Sequence, residues 1–224
     1  MHNFMTIPEH INDRVAFAIE FAWNITVGKI ANGEIKINKE ASLQMQYGAI
    51  LRTVFDLIKF SPKDRVEIEL ETTVIIEKKK YHIDILLTYT DGIVSKKHSI
   101  ELKYYNTIAS SGEKRGANDI FKCGVYRDIF YSELYVQHEC ADHATCLILT
   151  DYSSFVDPKS KKGKSWEAYD ISQGHSFVGG EFKTDTGGKK MDFKLSKAYR
   201  FDWQKIGDYW TTLLRPQQTL DNNR

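Results

Sequence analysis

The sequence predicts an α/β fold, a mixed β-sheet flanked by helices. Three observations predict it. Two helix-period segments precede a run of strand-period segments. The strand patterns YHIDILLTY (81–89) and SIELKYY (99–105) flank the turn signal Asp91-Gly92. A third helical pattern then leads to ATCLILT (144–150), a nearly all-apolar run of the kind that sits buried in a sheet.

The elements follow in order. Pro8-Glu9 marks a helix start, and the helix runs to about Ile30. ANGEIKINKE (31–40) is a turn-rich connection. In the second helix Leu43, Tyr47, Ile50, Leu51, Val54 and Ile58 share one face, and Ser61-Pro62 ends it. VEIELE (66–71) alternates apolar and acidic residues, as a half-buried strand does. The two strands on either side of Asp91-Gly92 come next. SSGEKRGAND (110–119) is a polar loop, and Asn118 caps a helix from Asp119 to about Gln137. ATCLILT follows, and PKSKKGKS (158–165) is a lysine-rich loop. FVGGEFKTDTGGKKMDFKL (177–195) reads as a hairpin turning at Thr186-Gly187-Gly188. A short last helix is expected near Trp203 to Leu214, then a frayed tail, RPQQTLDNNR. One domain spans 1–215, with a core at about 40–151, a C-terminal elaboration at 152–215 and a flexible tail at 216–224.

Composition bounds the function. The chain has 224 residues, 42% hydrophobic and 27% charged, which suits one well-packed domain rather than disorder. Net charge is +1, so any nucleic-acid binding must come from local patches. No apolar run is long enough to cross a bilayer. MHNFMTIPEHIND lacks the pattern of a secretory signal. Three cysteines, Cys123, Cys140 and Cys146, fit a reducing compartment better than a disulfide framework. The expected location is the cytoplasm. No nucleophile elbow, Walker loop or dinucleotide fingerprint is present, which argues against esterases, NTPases and oxidoreductases.

The chemistry concentrates at Asp84, Glu101, Leu102 and Lys103. Strand alternation points Glu101 and Lys103 to one face, and the hairpin brings Asp84 beside them. Ile100 and Leu102 take the opposite, apolar face. YHIDILLTY is too apolar for a freely solvated strand, and an enclosed carboxylate needs a partner. Phosphodiester hydrolysis needs a nucleophilic water, charge stabilisation and help for the leaving oxygen, and a divalent metal supplies all three. Asp84 and Glu101 are the ligand type Mg²⁺ takes, and the Leu102 carbonyl offers a third oxygen. Lys103 is the local cation for the water or the transition state. Alternation of Glu and Lys on a solvated strand is the plainer explanation of the same pattern.

These residues resemble the PD-(D/E)xK nuclease superfamily, the fold of many restriction endonucleases and of related phage, repair and defence nucleases. Asp84 matches the family aspartate, and Glu101 and Lys103 match its (D/E)xK. Ile83 stands where the family's variable proline would be. The order helix, motif strands, helix, strand over roughly Glu40 to Asp151 is similar to the family core; the C-terminal third matches nothing in it. The resemblance implies a restriction-endonuclease-like core and a Mg²⁺- or Mn²⁺-dependent nuclease, an endonuclease acting on DNA. It further implies Asp84, Glu101 and Leu102 at the metal and Lys103 at the attacking water. A homodimer is a further possibility, because cutting two strands needs two sites. Glu40 and Gln44, one helical turn apart, resemble the glutamate and glutamine that many members carry on the first core helix. Glu40 would then hold a metal water or add a ligand, and Gln44 or Gln46 would orient a ligand or contact phosphate. Glu40 also suits a first helical turn on dipole grounds alone.

Basic residues supply candidate phosphate contacts: Lys114 and Arg115 after the hairpin, Lys122 and Arg127 on the next helix, Lys159, Lys161, Lys162 and Lys164 in one loop, and Lys189 and Lys190 near the C-terminal turn. Each lysine alone is as well explained by solubility. Tyr104 and Tyr105 are candidate stacking residues, although strand tyrosines usually just pack. His138, Cys140, His143 and Cys146 are zinc-ligand types, but their spacing is not that of a usual knuckle, and an ordinary helix–strand turn is preferred. His82 shares a strand face with Asp84 and could hydrogen-bond near it. Two further readings stand beside the nuclease: a nucleic-acid- or protein-binding module that kept the fold without chemistry, and a zinc-stabilised interaction protein.

Overall fold

The computed structural model describes residues 7–108, 112–116, 118–185 and 191–217. Two helices come first, α1 (Ile11–Ala31) and α2 (Glu40–Ile58), then three strands, β1 (Arg65–Ile76), β2 (Lys79–Thr90) and β3 (Ser95–Tyr105). Helix α3 (Asn118–Gln137) crosses over to β4 (His143–Thr150). A single 3₁₀ turn (Ser153–Phe155) and the short α4 (Lys164–Ala168) lead to β5 (Ser176–Thr184) and β6 (Met191–Arg200). The chain closes with β7 (Gln204–Ile206) and β8 (Tyr209–Leu214).

Six strands form one mixed sheet in the order β1-β2-β3-β4-β8-β7. Only β3 and β4 run parallel, as a helical crossover requires; the other neighbours are antiparallel. Helices α1 and α2 cover one face. Their apolar stripes, among them Trp23, Tyr47 and Leu51, pack on Ile85, Ile100, Leu102 and Leu147. Helix α3 covers the other face, where its aromatics join Tyr105, Ile148 and the second, two-stranded sheet β5–β6. β3 and β4 are thus buried on both sides, which accounts for the apolar run in β4. No helix among the described residues is long and apolar enough to cross a membrane.

Most expected elements are present, with one correction. No helix forms near Trp203 to Leu214; that stretch is the β7–β8 hairpin, and β8 pairs with β4 from Cys146–Leu214 to Thr150–Trp210. Gly207 takes φ 57° at the first central position of its two-residue turn, the backbone a type II′ hairpin needs. A helix would have left the edge of β4 unpaired. The tail is tied down as far as Gln217, whose N–H donates to the Ala198 carbonyl. Arg215 bonds Thr145 Oγ1 and the Ala16 carbonyl. The expected turn at Thr186-Gly187-Gly188, Lys189, Lys190 and the tail beyond Gln217 lie outside the described residues.

Candidate functional site

The site begins where the β2–β3 ladder ends. The two strands pair from Thr90–Ser95 to Ile85–Ile100 and no further, although both continue. Asp84 is the first β2 residue past the last pair. Its Oδ2 accepts the Leu102 N–H at 2.7 Å. Its carbonyl accepts Gln44 Nε2 from α2 at 2.5 Å. On the outer side the β1–β2 ladder skips the Glu71–Asp84 pair, and Glu71 has φ 53°. Side-chain bonds thus replace ladder bonds around Asp84, and the sheet opens there.

β3 supplies the second half by alternation. Ile100, Leu102 and Tyr104 join the α1–α2 core, whereas Tyr105 packs on the α3 side. Glu101 is only 5% exposed, and its Oε1 has no hydrogen-bond partner. Lys103 Nζ lies 2.8 Å from Asp128 Oδ2 on α3. On its other side it lies 3.3 and 3.4 Å from the two oxygens of Glu40, at the start of α2. Glu40 Oε2 also accepts the Tyr104 N–H at 3.0 Å. The lysine stem passes Gly124, where a Cβ would stand 3.3 Å from Lys103 Cε. The N–H and C=O of one strand residue point to the same edge, so the Leu102 carbonyl faces the Asp84 edge along with its N–H.

The electrostatics are those of crowded acids. Burial pushes the Asp84 carboxyl up to about 7; the Asp128 and Glu40 charges add to this, while the Leu102 N–H and Lys103 oppose it. Burial raises Glu101 well above the carboxylate range, with Asp84 and Asp128 adding repulsion. Burial works against the Lys103 ammonium, but Asp128 and Glu40 outweigh it and raise its pKa. The pocket therefore holds a firmly charged cation beside two carboxyls that are costly to ionise together.

The structure brings Asp84, Glu101, Leu102, Lys103 and Glu40 together. Gln44 joins them differently from the phosphate-contact expectation: it is buried, and its amide is spent on the Asp84 backbone. Lys122 departs from the expectation of an exposed phosphate contact. Its side chain is 2% exposed, bonded to Ser165 Oγ and seated over the Trp166 ring, because α3 uses it to hold α4. Lys161 pairs with Asp170 at 2.8 Å, while Lys159, Lys162 and Lys164 are exposed. Lys114 is exposed, and the Arg115 guanidinium lies 5.6 Å from the Tyr105 ring centroid. Tyr104 is buried in the core, and Tyr105 packs against Phe121 and Phe155. His82 Nδ1 meets Thr73 Oγ1 on the neighbouring strand. The His/Cys group is dispersed: Cys146 Sγ meets Ser132, His143 lies against His98, and Cys140 Sγ donates to the His138 carbonyl.

Asp128 and Gly124 escaped the sequence reading. A signal for Asp128 was present. Phe121, Val125, Asp128, Ser132 and Tyr135 form one inward stripe of α3, and an acid on such a stripe needs a cation.

Among the described residues no three His, Cys, Asp or Glu side chains are already gathered around one point as a ligand set. Asp84 and Glu40 are each turned onto a backbone N–H of β3. Comparison with protein-family models, with characterised proteins and with solved structures finds no match for this chain.

Proposed function

We propose that the chain is a metal-dependent nuclease of the PD-(D/E)xK type, with a restriction-endonuclease-like core, that hydrolyses phosphodiester bonds in DNA. One observation carries this: a buried Glu101, its Oε1 lacking a hydrogen bond, next to a half-buried Asp84 and a lysine clamped between Glu40 and Asp128. A buried and a half-buried carboxyl that repel one another, next to a carbonyl, are a donor set suited to a hard divalent cation. Asp84, Glu101 and the Leu102 carbonyl would hold Mg²⁺ or Mn²⁺, with Glu40 as an added ligand or a partner of its water. Such an ion supplies Lewis acidity at phosphoryl oxygens and makes bound water more acidic.

The chain's own residues do the rest. Gln44 and the Leu102 N–H hold Asp84 in place from two sides. Asp128 and Glu40 keep Lys103 charged, so its ammonium can donate to a water or to a phosphoryl oxygen that gains charge. Lys114, Lys159, Lys162 and Lys164 can meet backbone phosphates and position the strand without reading sequence. A homodimer would place two such centres on opposite strands, and a cytoplasmic location suits a chain whose three cysteines are odd in number.

The test is cleavage of plasmid and linear DNA with Mn²⁺ or Mg²⁺. Asp84→Ala and Lys103→Ala are each expected to lower the rate at least about a hundredfold, the scale for losing an electrostatic or acid–base group. Circular dichroism should show both variants folded. Full activity in both would refute the assignment. The second reading, a binding module without chemistry, is favoured by the backbone bonds that already occupy Asp84 and Glu40. Calorimetric titration with Mn²⁺ separates the two: no heat attributable to Asp84 and Glu101 supports the module.

A further inference from the structure

A cavity of about 300 Å³ lies where the start of α3, the segment after β4 and the lysine-rich loop meet. It adjoins the candidate centre. Tyr105 is two residues past Lys103 on the same strand face, about 7 Å along the strand. Its hydroxyl donates to Asn118 Oδ1 at 2.6 Å, and its ring packs against Tyr152 with centroids 5.8 Å apart. Asn118 and Tyr152 are both walls of the cavity. A strand held at Lys103 therefore meets this cavity as the next feature along β3.

Its lining has the chemistry of a nucleotide site. Two partly exposed aromatic residues, Tyr152 and Trp166, line it; Lys122 covers one face of the Trp166 ring, and the other is the stacking surface a base can use. Asn118 adds a side-chain amide to the wall, a group that both donates and accepts. Lys159 is exposed at the rim. Lys122 is enclosed over the Trp166 ring at 3.8 Å, and its nearest carboxylate, Asp119, is 3.7 Å away and 62% exposed. That carboxylate is also bonded by Ser165 Oγ, so it balances the buried ammonium incompletely. The start of α3 adds its own positive end. The volume is at the lower limit of ligand pockets, which fits one nucleotide rather than a duplex.

We propose that this cavity is a nucleotide subsite that takes one nucleoside monophosphate unit, its base on Trp166 and Tyr152 and its phosphate toward Lys159 and the start of α3. It deepens the nuclease reading and rests on it: the unit belongs to the substrate strand next to the bond that Lys103 serves. The basic loop then recognises an unpaired end or a displaced nucleotide, in addition to any backbone contact.

Tryptophan fluorescence tests it without catalysis. The full chain in EDTA is titrated with thymidine 5′-monophosphate and with an oligothymidylate of about eight nucleotides. Saturable quenching by the oligonucleotide is expected, lost in Trp166→Phe and weakened at least about tenfold in Lys159→Glu. Quenching by the mononucleotide as well shows that the free unit suffices; quenching by the oligonucleotide alone, still dependent on Trp166, places the unit within a strand. Both support the subsite. Quenching that survives Trp166→Phe, or none with either ligand, overturns it. DNA cleavage with Mn²⁺ keeps the two readings apart. Trp166-dependent quenching in a chain that cuts nothing removes the catalytic reading and leaves the subsite. Cleavage without quenching removes the subsite alone.

Discussion

Lys103 owes its charge to its neighbours. An ammonium enclosed to this degree tends to lose its proton, and Asp128 and Glu40 reverse that tendency. Its position depends on an absent side chain at Gly124. Gly124→Ala puts a Cβ 3.3 Å from Lys103 Cε, so the lysine must yield by a few tenths of an ångström. The same change favours helix by about 1 kcal/mol. Thermal unfolding should therefore show equal or greater stability, and on the nuclease proposal the cleavage rate should fall about tenfold; cleavage equal to that of the native chain would show that the cradle does not position the lysine. A second residue-scale prediction concerns His98, far along β3. Burial depresses its pKa to about 3, with Arg215 and His143 adding repulsion, and its Nε2 lies 2.8 Å from Thr145 Oγ1. The unfolded chain binds the proton near pH 6.5 and the folded chain does not, so stability is complete above that pH and falls as pH drops. Between pH 7 and pH 5 this group alone should cost about 2 kcal/mol. Urea unfolding of the native chain and of His98→Gln at both pH values checks it, and equal losses in the two proteins would refute the account. Asp84, Glu101 and Lys103 could be found from residue types and alternation. Gly124 could not, because nothing local distinguishes a glycine that makes room for a side chain from one that does not.

The elements divide by how local their causes are. Helix α2, the Asp91-Gly92 turn and β4 follow from neighbours in sequence: an apolar stripe, an Asp side chain that accepts the Ile93 and Val94 N–H groups, and an all-apolar run. The β1–β2 turn was silent, because Glu77 and Lys78 adopt φ 49° and 68° with none of the residues that usually mark such a turn. The C-terminal segment misled. Trp203, Ile206, Trp210 and Leu214 fall near helical spacing, yet Tyr209–Leu214 is aromatic and β-branched enough to form a strand once β4 offers an edge. Gly207 decides between the two, since it alone supplies the positive φ of the hairpin, and a Cβ there would lie 2.9 Å from Ala31 Cβ. Gly207→Val should cost about 2 kcal/mol or more in chemical denaturation, through backbone strain and this clash. A change below about 0.5 kcal/mol, the usual range for a surface substitution, would mean that the turn accepts an ordinary residue.

At the scale of the whole molecule, β8 is what closes the sheet. Thr211 Oγ1 donates to the Ile148 carbonyl and accepts the Trp23 indole N–H at 2.7 Å, which joins α1, β4 and β8 in one chain of bonds. Ending the chain after Trp203 would strip this cover and leave β4 as a long apolar edge. Size-exclusion chromatography of that truncation should show aggregates, and its thermal transition should lose cooperativity; a monomer that unfolds sharply would show the last strands to be dispensable. The segment outside the expected core at 40–151 thus completes the main sheet rather than decorating it. By itself the sequence determined the α/β class, the hairpin, and the face shared by Glu101 and Lys103, because strand period and helix period are properties of adjacent residues. Tertiary structure alone decided that β2 and β3 part at Asp84, that Asp128 and Glu40 meet the lysine from two helices, and that the last segment is sheet. Each of those depends on what distant segments place beside a residue, and solvation, charge balance and edge pairing are set by that neighbourhood rather than by local periodicity.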